Sequence, residues 1–273
     1  MKQLKMDNVN NSNMPKISVV TICYNTVAEI EKTLISVINQ SYPNIEYVVI
    51  DGGSTDGTVD IIRKYADRIA VFISETDNGI YDAMNKGIRY VTGDWVCFIN
   101  SGDLFFSKSI LDEVFMSEYD DADIIYGDVV LDYSEYGLIT KKMDTLKANR
   151  IPLDICHQST FTKASVLKKY LYDTSFEIYA DINTFYLMWK DGYKYHYVPK
   201  SIAIFEGFGG ISSTKLFQCL KESMKIQNNK WYNSTVWWCL LVEVCAKKIV
   251  MIVFGQKKYN RFKFKKVSKR FSN

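Results

Sequence analysis

The run Ile45-Glu46-Tyr47-Val48-Val49-Ile50, followed by Asp51-Gly52-Gly53-Ser54-Thr55-Asp56-Gly57-Thr58, decides the fold. The first six residues read as an apolar strand, and residues 59–65 carry a helical pattern, so the acidic, glycine-rich stretch between them is a strand-to-helix turn. In an open α/β sheet, ligands bind at the carboxyl ends of the strands, and glycine lets the backbone turn sharply and approach a ligand closely. The turn therefore predicts a nucleotide site. It has neither the Gly-x-Gly-x-x-Gly of dinucleotide folds nor the Gly-Lys-Ser/Thr of a phosphate-binding loop, so phosphates need another holder, such as a metal.

A second acidic strand end supplies one. Trp95-Val96-Cys97-Phe98-Ile99 reads as a buried strand that runs straight into Asn100-Ser101-Gly102-Asp103. A carboxylate placed there, beside a glycine that frees the turn, presents oxygens to a hard divalent cation that also takes diphosphate oxygens, which makes Asp103 the candidate metal ligand. The competing reading is that Asp-Gly pairs simply make turns.

Outward from these two ends the pattern alternates. Strands are expected at 17–23, 45–50, 70–74 and 95–99, helices at 28–40, 59–65, 80–90 and 107–116, and another strand from 123. This alternation predicts a Rossmann-like, mostly parallel sheet flanked by helices on both faces. From 126 to 152 the pattern weakens, and the segment reads equally as acceptor-side loops or as a solvated hairpin. Helices at 163–170 and 180–189 and strands at 193–198 and 202–205 follow.

At 273 residues and 47% hydrophobic content the chain can bury a sizeable core in one domain with an appendage. Its 6 cysteines show no Cys-x-x-Cys spacing and no disulfide framework, which points to a reduced, cytoplasmic compartment. Residues 1–14 are polar and Asn-rich, without the apolar core of a signal peptide, and read as a flexible leader.

The net charge of +3 conceals an asymmetry, because residues 257–273 contain eight basic side chains and no acidic one. Just before them, the apolar runs 236–242 and 249–254 are broken by Glu243, Lys247 and Lys248, too interrupted for a spanning helix. With Trp231, Tyr232, Trp237 and Trp238 nearby, an amphipathic helical extension lying on an anionic membrane surface is expected. The alternative is a helix packed on the main domain with a solvated basic tail. Nucleic acid is a poorer partner, because the rest of the chain is acidic.

Taken together, Ile17-Ser18-Val19-Val20-Thr21-Ile22-Cys23-Tyr24-Asn25, the Asp51 to Thr58 stretch and Asn100-Ser101-Gly102-Asp103 resemble the family 2 glycosyltransferases of GT-A fold, across residues 15–215. Ser74-Glu75-Thr76-Asp77-Asn78-Gly79-Ile80-Tyr81-Asp82-Ala83-Met84-Asn85-Lys86-Gly87 and His157-Gln158-Ser159 resemble bacterial members that build capsule, colanic acid or O-antigen polysaccharide. The resemblance implies a GT-A domain at 15–215, and the aromatic-apolar runs and cations after it make 216–273 the expected membrane-association segment. It also implies an inverting, Mn2+- or Mg2+-dependent transfer from a nucleotide-diphosphate sugar, UDP-linked first and GDP-linked next. The acceptor would be a lipid-linked saccharide or glycan, and the enzyme would sit peripherally on the inner face of the cell membrane.

By the same resemblance, Asp181 of Ala180-Asp181 is the base, where Asn183 replaces a second Asp that the family often carries. Alone, Asp181 reads equally as a first-turn acid stabilised by the helix dipole. Tyr24 and Asp51 are expected near the donor base or ribose, and Ser101 and Gly102 against the donor. Asp82 and Lys86 read either as donor contacts or as a surface ion pair. Asn100 stands in place of the first Asp of Asp-x-Asp and offers a metal only a neutral oxygen, so metal affinity without donor is expected to be weak. His157 is a candidate for metal or phosphate contact, or a structural residue; His196 is read as structural. Gly207 to Ser212 is either a loop that closes over the site or an ordinary turn, and the 14% aromatic content suits an acceptor groove. The other class of function compatible with these residues is a non-catalytic nucleotide-sugar or glycan-binding scaffold of the same fold.

Overall fold

The computed structural model describes residues 14–116, 119, 121–143, 155–208, 215–226 and 235–271. Its first half is the expected alternation: β1 Ile17–Cys23, α1 Ile30–Ile38, β2 Ile45–Asp51, α2 Thr58–Arg63, β3 Val71–Ser74, α3 Ile80–Tyr90 and β4 Trp95–Phe98. β1 lies between β2 and β4, parallel to both, and β3 flanks β2, also in parallel. Every residue of β1 is buried because helices cover both faces, so the strand reads as a continuous apolar run and not as an alternation.

The period of two shows instead in which core each residue enters. Val20, Ile22, Val48 and Ile50 pack with Met84 and Ile88 of α3 on one face. Val19, Tyr47 and Val49 pack with Leu34 and Val37 of α1 on the other. α1 buries Ile30, Thr33, Leu34 and Val37, the i, i+3, i+4, i+7 stripe of a helix laid on a sheet. It begins later than the sequence pattern suggested, because the backbone N–H groups of Glu29 and Ile30 both donate to the carbonyl of Thr26, turning residues 26–29.

The second half is mixed: β5 Leu104–Phe105, α4 Ile110–Phe115, β6 Ile124–Asp132, β7 Leu138–Lys141, β8 Thr160–Lys163, α5 Ala164–Leu167, α6 Ala180–Lys190 and β9 Tyr195–Glu206. The full sheet runs β3-β2-β1-β4-β8-β6-β9-β5, with β7 paired to β6. β8 joins the halves by antiparallel pairing to β4 and to β6. Residues 126–132, in the segment read as loops or a hairpin, extend a nine-residue strand that is buried as far as Val130, and 138–141 pair with it as an edge hairpin; 144–154 lie outside the described residues. The two strands expected at 193–198 and 202–205 are one strand. Its pairing jumps from Gly127↔Val198 to Asp128↔Ser201, so Pro199, which has no N–H to give a ladder, sits in the irregularity.

The chain closes with α7 Leu216–Ile226 and α8 Thr235–Phe271, which is kinked at Gly255 (φ 77°). α7 falls in the segment expected to be a membrane appendage, yet Cys219, Glu222, Met224 and Ile226 are buried against the body of the molecule. In α8, Phe264 packs edge-on against Tyr133 and tilted against Tyr136, and Lys263 Nζ donates to the carbonyl of Gly207 at 2.7 Å. The helix thus packs on the domain along one face. Among the described residues, no helix is long and apolar enough to cross a membrane. The leader, apart from Met14, and the loop residues 209–212 fall outside the described residues.

Candidate active site

Cys23 and Asp51 are register partners at the ends of β1 and β2, so the loops after β1, β2 and β4 meet at one edge of the sheet. The first two are stitched together. Asn25 N–H donates to Ser54 Oγ at 2.7 Å, Thr55 N–H to Asn25 Oδ1 at 2.9 Å, and Val27 N–H to Asp56 Oδ2 at 3.0 Å. Asp51 is fully buried, and its carboxylate accepts from the N–H groups of Gly53 and Ser54 and from the hydroxyls of Ser54 and Ser74, at 2.5 to 3.1 Å. Those bonds tie its oxygens to the loop that follows it and to Ser74 of β3.

What remains open at this edge is Tyr24, 62% exposed, beside Gly52. A Cβ on Gly52 would lie 2.4 Å from Asp77 Oδ2 and 3.4 Å from the Tyr24 ring, so the Asp77 carboxylate approaches a bare backbone here. Asp82 and Lys86 tie the loop before α3 to that helix. Lys86 Nζ donates to the Thr76 carbonyl at 2.9 Å and pairs with Glu75 at 3.0 Å, while Asp82 Oδ2 accepts from Asn78 N–H at 3.0 Å. The two side chains lie 3.8 Å apart as an i, i+4 ion pair.

After β4, Ser101 Oγ donates to Thr26 Oγ1 at 2.9 Å and Gly102 N–H to Thr33 Oγ1 at 3.0 Å. Gly102 has a φ of 98°, and a Cβ there would lie 3.2 Å from Glu29 Oε2. The turn delivers Asp103 to the wall of a cleft of about 810 Å³, shared with Glu29, Asn100, His157, Tyr81 and Asp181. Burial pushes the Asp103 carboxyl up to about 7, against the pull of His157, Gln158 and the Asn100 backbone.

Asp181 sits in the first turn of α6, buried, and three groups hold it. His157 Nδ1 lies 2.7 Å from Oδ2, Ile182 N–H donates to Oδ1 at 2.8 Å, and the Tyr81 hydroxyl lies 3.1 Å from Oδ1. Tyr81 also donates to the carbonyl of Ile178. On its other side, His157 Nε2 is 3.2 Å from Asn100 Nδ2. Burial alone would lower the imidazole pKa, but the bond to Asp181 and the charges of Asp181 and Asp103 raise it above its ordinary value. With both ring nitrogens engaged, His157 connects Asp181 to Asn100.

Among the described residues, the Asn100 Oδ1 oxygen is buried without a hydrogen-bond partner, at an unmade-bond cost of about 1–3 kcal/mol. An orphaned oxygen next to the Asp103 turn fits a hard cation, which takes neutral and charged oxygens alike. No group of three or more His, Cys, Asp or Glu side chains that could hold a metal ion occurs among the described residues. Glu29 and Tyr81 are the site members that sequence reading did not assign to it, although Tyr81 stands inside a motif that carried the resemblance; Asn100 is read there as a neutral oxygen beside the metal.

The glycosyl transferase family 2 model matches residues 18–179, more than half of the chain and nearly all of the elements that form this edge. The chain is a family 2 glycosyltransferase. It is 29% identical over 210 residues, 73% of this chain and 80% of the relative, to a PGL/p-HBAD biosynthesis glycosyltransferase of Mycobacterium bovis. A Haemophilus influenzae glycosyltransferase of uncharacterised role is 38% identical over 94 residues, 33% of this chain and 38% of that one. Among solved structures, S. aureus TarS in complex with UDP aligns with a TM-score of 0.62 at 18% identity, over 80% of this glycosyltransferase and 66% of the TarS chain. The mannosyltransferase PcManGT of Pyrobaculum calidifontis, in complex with GDP-Man and Mn2+, also gives 0.62 at 18% identity, over 89% and 77% of the respective chains. At that identity the likeness shows the fold, a mixed α/β GT-A architecture.

Proposed function

We propose that this glycosyltransferase transfers a sugar with inversion from a nucleotide-diphosphate donor to a lipid-linked saccharide or glycan acceptor, in surface polysaccharide assembly at the inner face of the cell membrane. A UDP-sugar is favoured and a GDP-sugar is next, in keeping with the UDP and GDP-Man bound to TarS and PcManGT. The observation that carries the reading is that Asp181, the Asp103 carboxyl and the orphaned Asn100 oxygen line one cleft, with His157 linking Asp181 to Asn100.

In this reading the donor base stacks by Tyr24 over Gly52, and the loops fixed by Asp51, Asp56 and the Lys86 pair form the groove floor. Asp103 and Asn100 Oδ1 would hold a Mn2+ or Mg2+ ion, which would supply positive charge against the departing diphosphate. Asp181 takes the proton of the acceptor hydroxyl; the acceptor oxygen bonds to the anomeric carbon as the carbon–oxygen bond to the diphosphate breaks, its electron pair leaving with phosphate. His157 and Tyr81 fix Asp181 so that its remaining lone pair faces the acceptor. A thermal-shift panel of UDP-, GDP- and dTDP-sugars with and without manganese tests the donor half of this reading. Stabilisation by a UDP-sugar only with manganese is expected, and no stabilisation by any nucleotide sugar would sink it.

A further inference from the structure

We propose that Glu222, on α7, is a positioning residue for Asp181. Its carboxylate accepts four hydrogen bonds. Oε1 takes Glu177 N–H at 2.8 Å and Gln218 Nε2 at 2.7 Å, and Oε2 takes the N–H groups of Ile178 and Tyr179, both at 2.9 Å. Three successive backbone donors just before the helix that carries Asp181 thus converge on one side chain from more than forty residues away.

The Ile178 peptide is held from both sides, because its carbonyl accepts from Tyr81, the same hydroxyl that borders Asp181 Oδ1. Neither partner is incidental. Tyr179, the residue preceding α6, gives that helix no side-chain cap, and its own N–H and the two before it are taken by Glu222. Glu222 is 3% exposed, and a carboxylate so buried is tolerable only when its acceptor sites are filled. Burial works to raise its pKa, and the bonds from Glu177, Gln218, Tyr179 and Ile178 outweigh it, so the group stays ionised. Further contacts press α7 along the same segment: Lys215 pairs with Glu177, and Lys225 Nζ lies 3.9 Å from the centre of the Phe176 ring.

The inference rests on Asp181 as the base, and the experiment separates the two. Glu222→Gln keeps the shape but turns an NH2 toward backbone donors. It should lower kcat about tenfold or more while the KM and dissociation constant for donor change less than twofold, measured well below the melting temperature. In an Asp181→Asn background the same change should cost less than twofold in residual kcat, because residues acting as one unit are non-additive. Unchanged kcat in folded Glu222→Gln, or an equal fractional loss in both backgrounds, would overturn the positioning role. If Glu222→Gln does not fold, Gln218→Ala, which removes one bond to the carboxylate, should lower kcat severalfold with donor KM constant; a kcat equal to wild type overturns the proposal. Full activity of Asp181→Asn would instead overturn the base assignment, and this inference with it.

Discussion

The two ends of the parallel strands treat polar side chains in opposite ways. At the amino end, the Glu46 carboxylate is closed by Ser18 Oγ at 2.5 Å, Thr92 N–H at 2.7 Å, Thr92 Oγ1 at 2.5 Å and Lys16 Nζ at 3.0 Å, with nothing left to offer a ligand. At the carboxyl end, Asn100 Oδ1 is buried and unpartnered, Asp103 is a carboxyl raised by burial, and Tyr24 stands exposed. A fold closes its buried hydrogen bonds where nothing is to bind, and leaves them open where a partner completes them. Asp51 is the instructive exception, because it lies at the open end yet is closed, and so it shapes the loop around the site.

The sharpest way to break this comparison is at Asp181. Asp181→Asn should lower kcat by about 10³-fold, the order expected for loss of a general base, while donor binding and melting temperature stay near wild type. Activity within tenfold of wild type would remove Asp181 from the chemistry. Asp103→Ala comes next, with donor affinity in manganese falling by about tenfold to a hundredfold and little change in EDTA. Equal losses in both conditions would mean that Asp103 holds no metal.

The comparison also explains what the sequence could tell. Asp51 bonds Gly53 and Ser54, and Asp56 bonds Thr58, within three residues, so this part of the pattern is local and readable, as is the buried parallel half of the sheet. The Asp181 side is assembled from Tyr81, Asn100, His157 and Glu222, which meet only once the sheet has formed. No spacing rule joins them. The same distinction separates the helix and strand boundaries. The apolar periods of β1 to β4 are strong, whereas β5, two residues long, exists only because β9 offers it an edge, and α7 could not be assigned to the body before Glu222 and Cys219 were seen buried.

Glu46 probes the closed end. Burial tends to raise its pKa, but the bonds from Ser18, Thr92 and Lys16 prevail and hold it down to about 2. A carboxyl depressed in the folded state gives stability that is complete above its unfolded value and is lost as pH falls toward about 2. Glu46→Gln should therefore cost about 3 kcal/mol or less at neutral pH, and it should flatten the acid side of the stability curve between those limits, without changing kcat. An acid limb as steep as that of wild type, followed by urea midpoints, would show that the carboxylate is not the group lost.

The smallest effect is expected on α8, which asks whether open groups mark a partner outside the catalytic edge as well. One face of its second segment docks through Phe264 on Tyr133 and Tyr136. The other face exposes Lys257, Lys258, Arg261, Phe262, Lys265, Lys266 and Lys269, a cationic stripe around an aromatic ring that is 61% exposed. Charges near an anionic bilayer contribute about 1 kcal/mol each, so Lys265→Gln with Lys266→Gln should weaken binding to phosphatidylglycerol vesicles by roughly tenfold or somewhat more. Transfer to a soluble acceptor should not change. Because screening acts on the cations and not on buried apolar surface, raised salt should weaken the intact protein only in part, and Phe262→Ala should remove much of what survives. Equal binding to neutral and anionic vesicles, or none to either, would leave α8 as a helix whose role ends with packing on the domain.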